Sequence, residues 1–376
     1  MSSTTPKSLS IAFAIYRLHP RGGLEDNCLR IAEELRTRGH KVTIFTAIDA
    51  PEAGVDVIPL PKATTHRTNH TRMQTFACDA GAAVQQVRFD RSVAFQTMPG
   101  FDFLFLADNI RNDIAAPLWR RISSRYRTFA ALETQVFSPS SRTRVIGLSS
   151  QQMRPFETLY RPAAGRIRIA PPTVSRQKHH PESRTAENRA SLRNALGIDA
   201  AAPVWLSLSL MPKVKGLDRT VEALGLIKDA HLLVVGVGAS DKKARQIVAQ
   251  AKRLKVDNRI HWLGFLSGDQ LFRAMATSDV LAHPARTEVT GAVILEALIN
   301  GLPVVATGLC GFAHHVAEAK AGQIISDPFD LAAYTNALRN VCDNTAILSA
   351  NAIAYGNTAP VFQGVKTICD WIEHDI

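Results

Sequence analysis

The sequence predicts an α/β protein built from two parallel, doubly wound sheets, and three observations carry that reading. Short apolar runs recur at residues 9–15, 41–46, 55–59, 92–95, 102–106, 144–148 and 167–170, and again at 204–208, 231–235, 259–262, 280–283, 304–307 and 323–325. Stretches with helical spacing separate most of them, which is the rhythm of strand–helix–strand units. The chain has 376 residues, more than one ordinary core takes up, so two domains are expected.

In the first half, residues 9–15 form a buried strand and 16–21 a loop. Gly22-Gly23-Leu24 then opens a helix whose apolar positions Leu24, Cys28, Ile31 and Leu35 share one face. A Gly-Gly turn at a helix start lets backbone N–H groups approach a phosphate, and the helix dipole favours the anion. The plain alternative is an ordinary strand–helix turn, and the string is not the G-x-G-x-x-G of dinucleotide binders. Residues 61–73, which include Thr68-Asn69-His70, read as a long polar loop, followed by a helix at 75–87. Met98-Pro99-Gly100 turns between two strands, and Asp102 opens the second. Residues 117–138 read as one basic helix, with Leu118, Ile122, Tyr126, Phe129 and Leu132 at helical spacing. Helix 151–160 and strand 167–170 follow. Pro171-Pro172 breaks the pattern, and the polar, basic 175–185 is the expected interdomain linker.

The second half repeats the architecture, with helices expected at 186–196, 216–228, 240–255, 269–277, 292–300 and 330–341, and a tail helix at 361–374. Two such domains are expected to form a ligand cleft between their sheets. The assigned boundaries are 1–172 for the first domain, 173–185 for the linker, 186–358 for the second domain and 359–376 for the tail.

Composition narrows the function. Hydrophobic residues make up 46%, which supports a globular chain rather than disorder. The five cysteines are scattered without a C-x-x-C pair, which argues against a disulfide framework or zinc site and for a reducing compartment. The first eight residues have no apolar signal core, and no run reaches the roughly 18 apolar residues of a spanning helix, so the cytoplasm is expected. The formal net charge of +11 predicts attraction to a polyanion. Arg120, Arg121, Arg125 and Arg127, interleaved with Trp119 and Phe129, suit an anionic membrane surface, although a solvated basic face is the simpler account. No helix-turn-helix, zinc-finger or RNP-like string points to nucleic acid.

The chemistry concentrates at 283–301, H-P-A-R-T-E-V-T-G-A-V-I-L-E-A-L-I-N-G. A strand, a polar loop and a helix start place Glu288 in the loop and Glu296 on the second helical turn. Ligands of parallel sheets bind at such strand ends. The two carboxylates can accept hydroxyls from neighbouring parts of one extended ligand. Lys213-Val214-Lys215-Gly216 follows the first strand of the second domain and opens a helix. Two lysines and free N–H groups would bind a diphosphate and stabilise charge on a diphosphate leaving group. Gly236-Val237-Gly238 is a weak half-motif. His314-His315 has no third ligand at zinc spacing. Neither G-x-S-x-G nor H-E-x-x-H is present.

With these parts assembled, the chain resembles the retaining GT-B glycosyltransferases of family 4. The resemblance rests on Glu288-x7-Glu296, Lys215-Gly216, Gly22-Gly23 and G-L-P-V-V-A-T at 301–307. More narrowly it resembles the lipopolysaccharide core glucosyltransferase I group, through G-G-L with Arg30-Ile31-Ala32, T-N-H at 68–70, M-P-G-x-D at 98–102, S-R-Y-R at 124–127 and C-G-F-A-H at 310–314. The resemblance implies a hexosyltransferase, peripheral on the inner face of the inner membrane, that moves a hexose, glucose, from a UDP-sugar to a heptose of the lipopolysaccharide core. It implies no metal and no cofactor beyond the donor substrate. Glu296 would hold the ribose, Glu288 the transferred sugar, and Lys215 with Lys213 the diphosphate. Gly22, Gly23, Val289, Thr290 and Gly291 would complete the donor site. Asp26, Asn27, Asn69, His70 and Asp102 would face the acceptor, the basic helix would face the membrane, and the tail helix would cross back to the first domain.

Three positions depart from that pattern. Asn27 stands where the narrower group has an aspartate, and an asparagine cannot act as a base. The expected Gly-Arg after the first strand of the second domain is replaced by Ser207-Leu208-Ser209-Leu210, leaving Lys213 as a point charge without arginine's fork. The usual proline–glycine turn reads Pro171-Pro172-Thr173. These departures keep two alternatives open: a family 4 enzyme with another glycolipid or exopolysaccharide acceptor, and an inactive nucleotide- or membrane-binding relative.

Overall fold

A computed structural model describes residues 8–19, 22–48, 54–113 and 116–374. The polar start at 1–7 and the end of the first loop at 20–21 lie outside them. The chain divides into two units, residues 1–173 with 362–376, and residues 174–361.

The first unit contains β1 (Ser10–Arg17), α1 (Gly23–Thr37), β2 (Lys41–Ile48), β3 (Asp56–Pro59), α2 (Asn69–Val87), β4 (Arg91–Ala94), β5 (Phe103–Phe105), α3 (Leu118–Arg121), α4 (Ser124–Phe137), β6 (Arg144–Gly147), α5 (Ser150–Tyr160) and β7 (Ile167–Ile169). Its strands form a parallel sheet in the order β3-β2-β1-β4-β5-β6-β7. The two-residue period of β1 sorts its side chains onto both faces. Ile11, Phe13 and Ile15 pack with Cys28, Ile31 and Leu35 of α1. Ala12 and Ala14 face the other way, toward Met73 and Phe76 of α2 and Phe156 of α5. Each fully buried large side chain contributes about 1.5–3 kcal/mol of transfer free energy.

The second unit contains α6 (Ala186–Ala195), β8 (Val204–Leu208), α7 (Leu217–Leu226), β9 (His231–Val235), α8 (Arg245–Arg253), β10 (Ile260–Gly264), α9 (Asp269–Thr277), β11 (Val280–His283), α10 (Ala292–Ile299), β12 (Val304–Thr307), α11 (His314–Glu318), β13 (Gly322–Ile325), α12 (Leu331–Asp343) and α13 (Thr345–Thr358). The sheet, again parallel, runs β10-β9-β8-β11-β12-β13. Strand order reverses between β8 and β11, so the loops after these two strands flank the switch point where such sheets bind ligands. Segment 176–183 makes two short turns on this unit, and Arg184 donates to the carbonyls of Met275 and Ser278 at 3.0 Å each. The last helix, α14 (Gly364–His374), belongs to the first unit, where Ile368, Cys369 and Ile372 pack with the α1 face.

Several expectations are corrected. The supposed loop at 61–73 is a short turn, Pro61–Thr65, followed by α2, which starts at Asn69 because the Thr68 side chain caps the Thr71 N–H. The basic segment is two helices rather than one, since Ser123 caps α4 through the Tyr126 N–H. Helix α8 begins at Arg245, five residues later than expected, because Asp241 accepts from the Gly238 N–H at 2.7 Å and holds a turn there. Helices α11 and α13 had no counterpart in the sequence reading.

Candidate active site

The loop after β11 carries Glu288, and three neighbours fix it. Lys215 Nζ donates to Glu288 Oε2, His283 Nε2 lies 3.6 Å from the same oxygen, and the Glu288 backbone forms a bridge with Cys310. The Glu288 side chain is 14% exposed. Burial acts to raise its carboxyl, but the His283 contact and the Lys215 charge outweigh burial and bring it down to about 2. His283 is buried at the end of β11, and its Nε2 has no hydrogen-bond partner. It is aimed at Glu288 from beyond hydrogen-bonding distance.

Val289, Thr290 and Gly291 connect Glu288 to α10, and the Thr290 carbonyl accepts from the Phe312 N–H at 2.7 Å. Gly291 caps α10 with φ +78, a left-handed conformation that favours glycine. Helix α10, AVILEALI, is apolar apart from Glu296. That carboxylate accepts from Lys178 Nζ at 2.8 Å and is 15% exposed.

The loop after β8 is pinned against the loop after β11. A side chain at Gly216 (φ +75) would place Cβ 2.0 Å from the Pro284 carbonyl oxygen, so the approach requires glycine. Arg286 donates its backbone N–H to the Val214 carbonyl at 2.9 Å and its Nη1 to the Lys213 carbonyl at 2.7 Å. Its guanidinium also grips Asp218 in a two-pronged pair, 2.7 Å on each arm. The two lysines of the K-x-K string are thereby separated in role. Lys215 turns to Glu288, while Lys213 lines an open groove of about 560 Å³ with Asp218, Lys242, Lys243 and Arg245. In the run Ser207-Leu208-Ser209-Leu210, which replaces the expected Gly-Arg, Ser209 has a buried hydroxyl with no partner.

In the first unit, Gly22 caps α1 and Gly23 begins it. Glu25 and Asp26 occupy the first turn, and the Glu25 carboxylate fills the space beside Gly22 Cα. The protein's own acids therefore already compensate this helix N-terminus, and a phosphate there requires Glu25 to swing away. Arg30 holds both Asp26, at 3.1 Å, and Asn27, at 2.9 Å, while Asn27 Nδ2 donates to the Gly23 carbonyl. Asn69 and His70 lie in the first turn of α2 beside Thr68. Asp102 sits at the amino end of β5 and accepts from the Ser92 N–H and Oγ at 2.8 and 2.7 Å, contacts that join β4 to β5. Arg120, Arg121, Arg125 and Arg127 are exposed, alongside Leu118, Trp119 and Ile122, which are 72%, 74% and 67% exposed.

The His314-His315 pair gains a third potential ligand in Glu318, the ligand atoms lying within 4.8 Å of one another. Tyr355 already bridges two of the three: its hydroxyl donates to Glu318 at 3.0 Å and pairs with His315 Nδ1 at 2.5 Å. Burial, and then neighbouring His314, push His315 down to about 4.

Sequence reasoning missed His283, Lys178 and Arg286 as parts of this site. His283 and Arg286 stood within the stretch already singled out, and their nearness to Glu288 was the available signal.

Comparison with known proteins agrees with this architecture. Residues 188–358 match the family model of glycosyl transferases group 1. The lipopolysaccharide glucosyltransferase WaaG of Escherichia coli K12 is 32% identical over 374 residues, covering 96% of this chain and 98% of that protein. A crystal structure of WaaG, a glycosyltransferase involved in lipopolysaccharide biosynthesis, superposes with TM-score 0.86 at 30% identity, covering 96% and 99% of the two chains. Anabaena HepE in complex with UDP-glucose matches with TM-score 0.72 over 98% and 99%, and at 19% identity it supports the fold alone. The two-sheet GT-B architecture expected from the sequence is the one found, and the chain belongs to the group 1 glycosyltransferases.

Proposed function

We propose that this glycosyltransferase moves glucose from a UDP-sugar to a heptose of the lipopolysaccharide inner core, with retention of configuration and without a metal. The observation that carries the reading is the Glu288 carboxylate, held by Lys215 and His283 in the loop that leads into the helix bearing Glu296. In this reading Glu296 accepts the ribose hydroxyls and Glu288 the hydroxyls of the transferred sugar. Lys215 shares its charge with the diphosphate as negative charge grows there, the point at which a preorganised cation has most effect. The bond from the anomeric carbon to the diphosphate oxygen breaks, the acceptor oxygen bonds to the same face of that carbon, and its proton passes to the departing phosphate. Asn27 takes no part in that proton transfer. The full-length similarity to an enzyme named for lipopolysaccharide favours the core acceptor.

The same proposal places the enzyme on the inner face of the inner membrane. No helix among the described residues is long and apolar enough to cross a membrane. The exposed Leu118, Trp119 and Ile122, with Arg120, Arg121, Arg125 and Arg127 around them, combine an apolar wedge with charges that attract anionic lipid.

Calorimetry with UDP and turnover with heptose-terminated core test the assignment. The wild type is expected to bind UDP and transfer glucose, and Glu296→Ala to lose binding by about tenfold or more. UDP binding that is undetectable in the wild type, or unchanged in the variant, defeats the donor assignment. Acceptor-dependent UDP release only with another glycolipid selects the alternative acceptor, the reading favoured by Asn27.

A further inference from the structure

We infer that Lys178 is a positioning residue that holds Glu296 in the orientation in which it meets the nucleotide's ribose; this rests on the role proposed above for Glu296. Lys178 lies on the short turn Arg176–Lys178, 118 residues before Glu296 in the chain. Its Nζ donates to Glu296 Oε1 at 2.8 Å. A glutamate that accepts from two adjacent hydroxyls must present both oxygens in one plane. Anchoring one oxygen sets that plane before the ligand arrives.

Backbone contacts support the two side chains. Asn300, buried at the C-terminal cap of α10, donates from Nδ2 to the Lys178 carbonyl at 2.8 Å and to the Glu296 carbonyl at 2.7 Å. Its Oδ1 accepts from the His180 N–H at 2.6 Å. One buried amide therefore ties the turn to the helix at the two residues whose side chains meet. Lys178 is 44% exposed, and pairs of that exposure add little to stability. A buried asparagine devoted to holding such a pair points to geometry, not stability, as its purpose.

The test uses the full chain and two probes, UDP and 2′,3′-dideoxy-UDP, which lacks both ribose hydroxyls. Lys178→Met is expected to weaken UDP on the order of tenfold, the loss of one charge-assisted contact. It should leave the affinity for the dideoxy probe at the wild-type value, and the loss in turnover should fall on the donor KM rather than on kcat. Lys178→Arg should recover most of the UDP affinity. Asn300→Ala should reproduce the Lys178→Met pattern and serves if the first variant folds poorly. Equal weakening of both probes, or full UDP affinity in Lys178→Met while Glu296→Ala loses it, overturns the inference. If Glu296→Ala itself binds UDP like the wild type, the ribose role fails and the inference falls with it, a result distinguishable from the other two.

Discussion

Lys215→Met is the perturbation that bears most directly on the proposed donor site. Burial works against the Glu288 carboxylate, yet His283 and Lys215 bring its carboxyl from an ordinary 4.5 to about 2. A displacement of that size corresponds to about 3 kcal/mol of stability at neutral pH. The folded value is the lower one, so this contribution is present in full above about pH 4.5 and fades as pH falls toward about 2. Removing the lysine leaves a carboxylate that is 14% exposed with His283 as its remaining counterpart. Breaking a buried pair costs about 3–5 kcal/mol. Lys215 retains 24% exposure, so solvent screening lowers the expected loss to about 2 kcal/mol. For a unit of the size of 174–361, which holds both residues, that is a fall in Tm of about 5 °C. Thermal unfolding of both proteins across a pH series gives the readout. The gap should be constant near neutrality and shrink as pH falls from about 5, because Glu288 in the variant, freed of the lysine, takes up its proton first. A gap that is absent at neutral pH, or undiminished in acid, would refute the electrostatic account. Turnover should fall by about 10²–10³-fold, the usual cost of removing one preorganised donor.

Two further outcomes follow from the geometry. Gly216→Ala puts a Cβ 2.0 Å from the Pro284 carbonyl at a left-handed backbone position, so it should lower stability by about 2–4 kcal/mol in thermal or urea unfolding and weaken UDP binding in the same protein. Replacing Leu118, Trp119 and Ile122 together by serine should abolish sedimentation with vesicles rich in anionic lipid while the Tm stays within about 1 °C, since all three side chains are more than 60% exposed.

The parts of this protein that were legible in its sequence are those encoded locally. The thirteen strands among the described residues follow from short apolar runs, and β1 shows its two-faced burial in Ile11-Ala12-Phe13-Ala14-Ile15. Glu288 and Lys215 stand out because each lies in a short string at the carboxyl end of a strand. The start of α2 was hidden because its first turn, Asn69-His70-Thr71-Arg72, has no apolar residue to set a phase. The α3–α4 break was hidden because Ser123 sits inside an otherwise periodic run. Helix α13, TAILSANAIAYGNT, spreads small and apolar residues around its whole circumference and so shows no stripe. The partners of the site lay furthest out of reach. Lys178 meets Glu296 across 118 residues and Arg286 meets Asp218 across 68, and nothing in either local string announces the other.

The chain crosses between its two units twice, near residue 173 and near residue 361, and α14 supplies Ile368, Cys369 and Ile372 to the first unit's core. During synthesis this imposes an order. All the residues of the second unit, 174–361, leave the ribosome before the first unit can close its apolar layer. Until α14 arrives, the part of the apolar α1 face that meets Ile368, Cys369 and Ile372 stays open to water and to chaperones. Cutting the chain at the 173 crossing would therefore release an amino-terminal fragment with a permanently uncovered helix, while the stretch 174–361 retains every strand and helix of its own sheet.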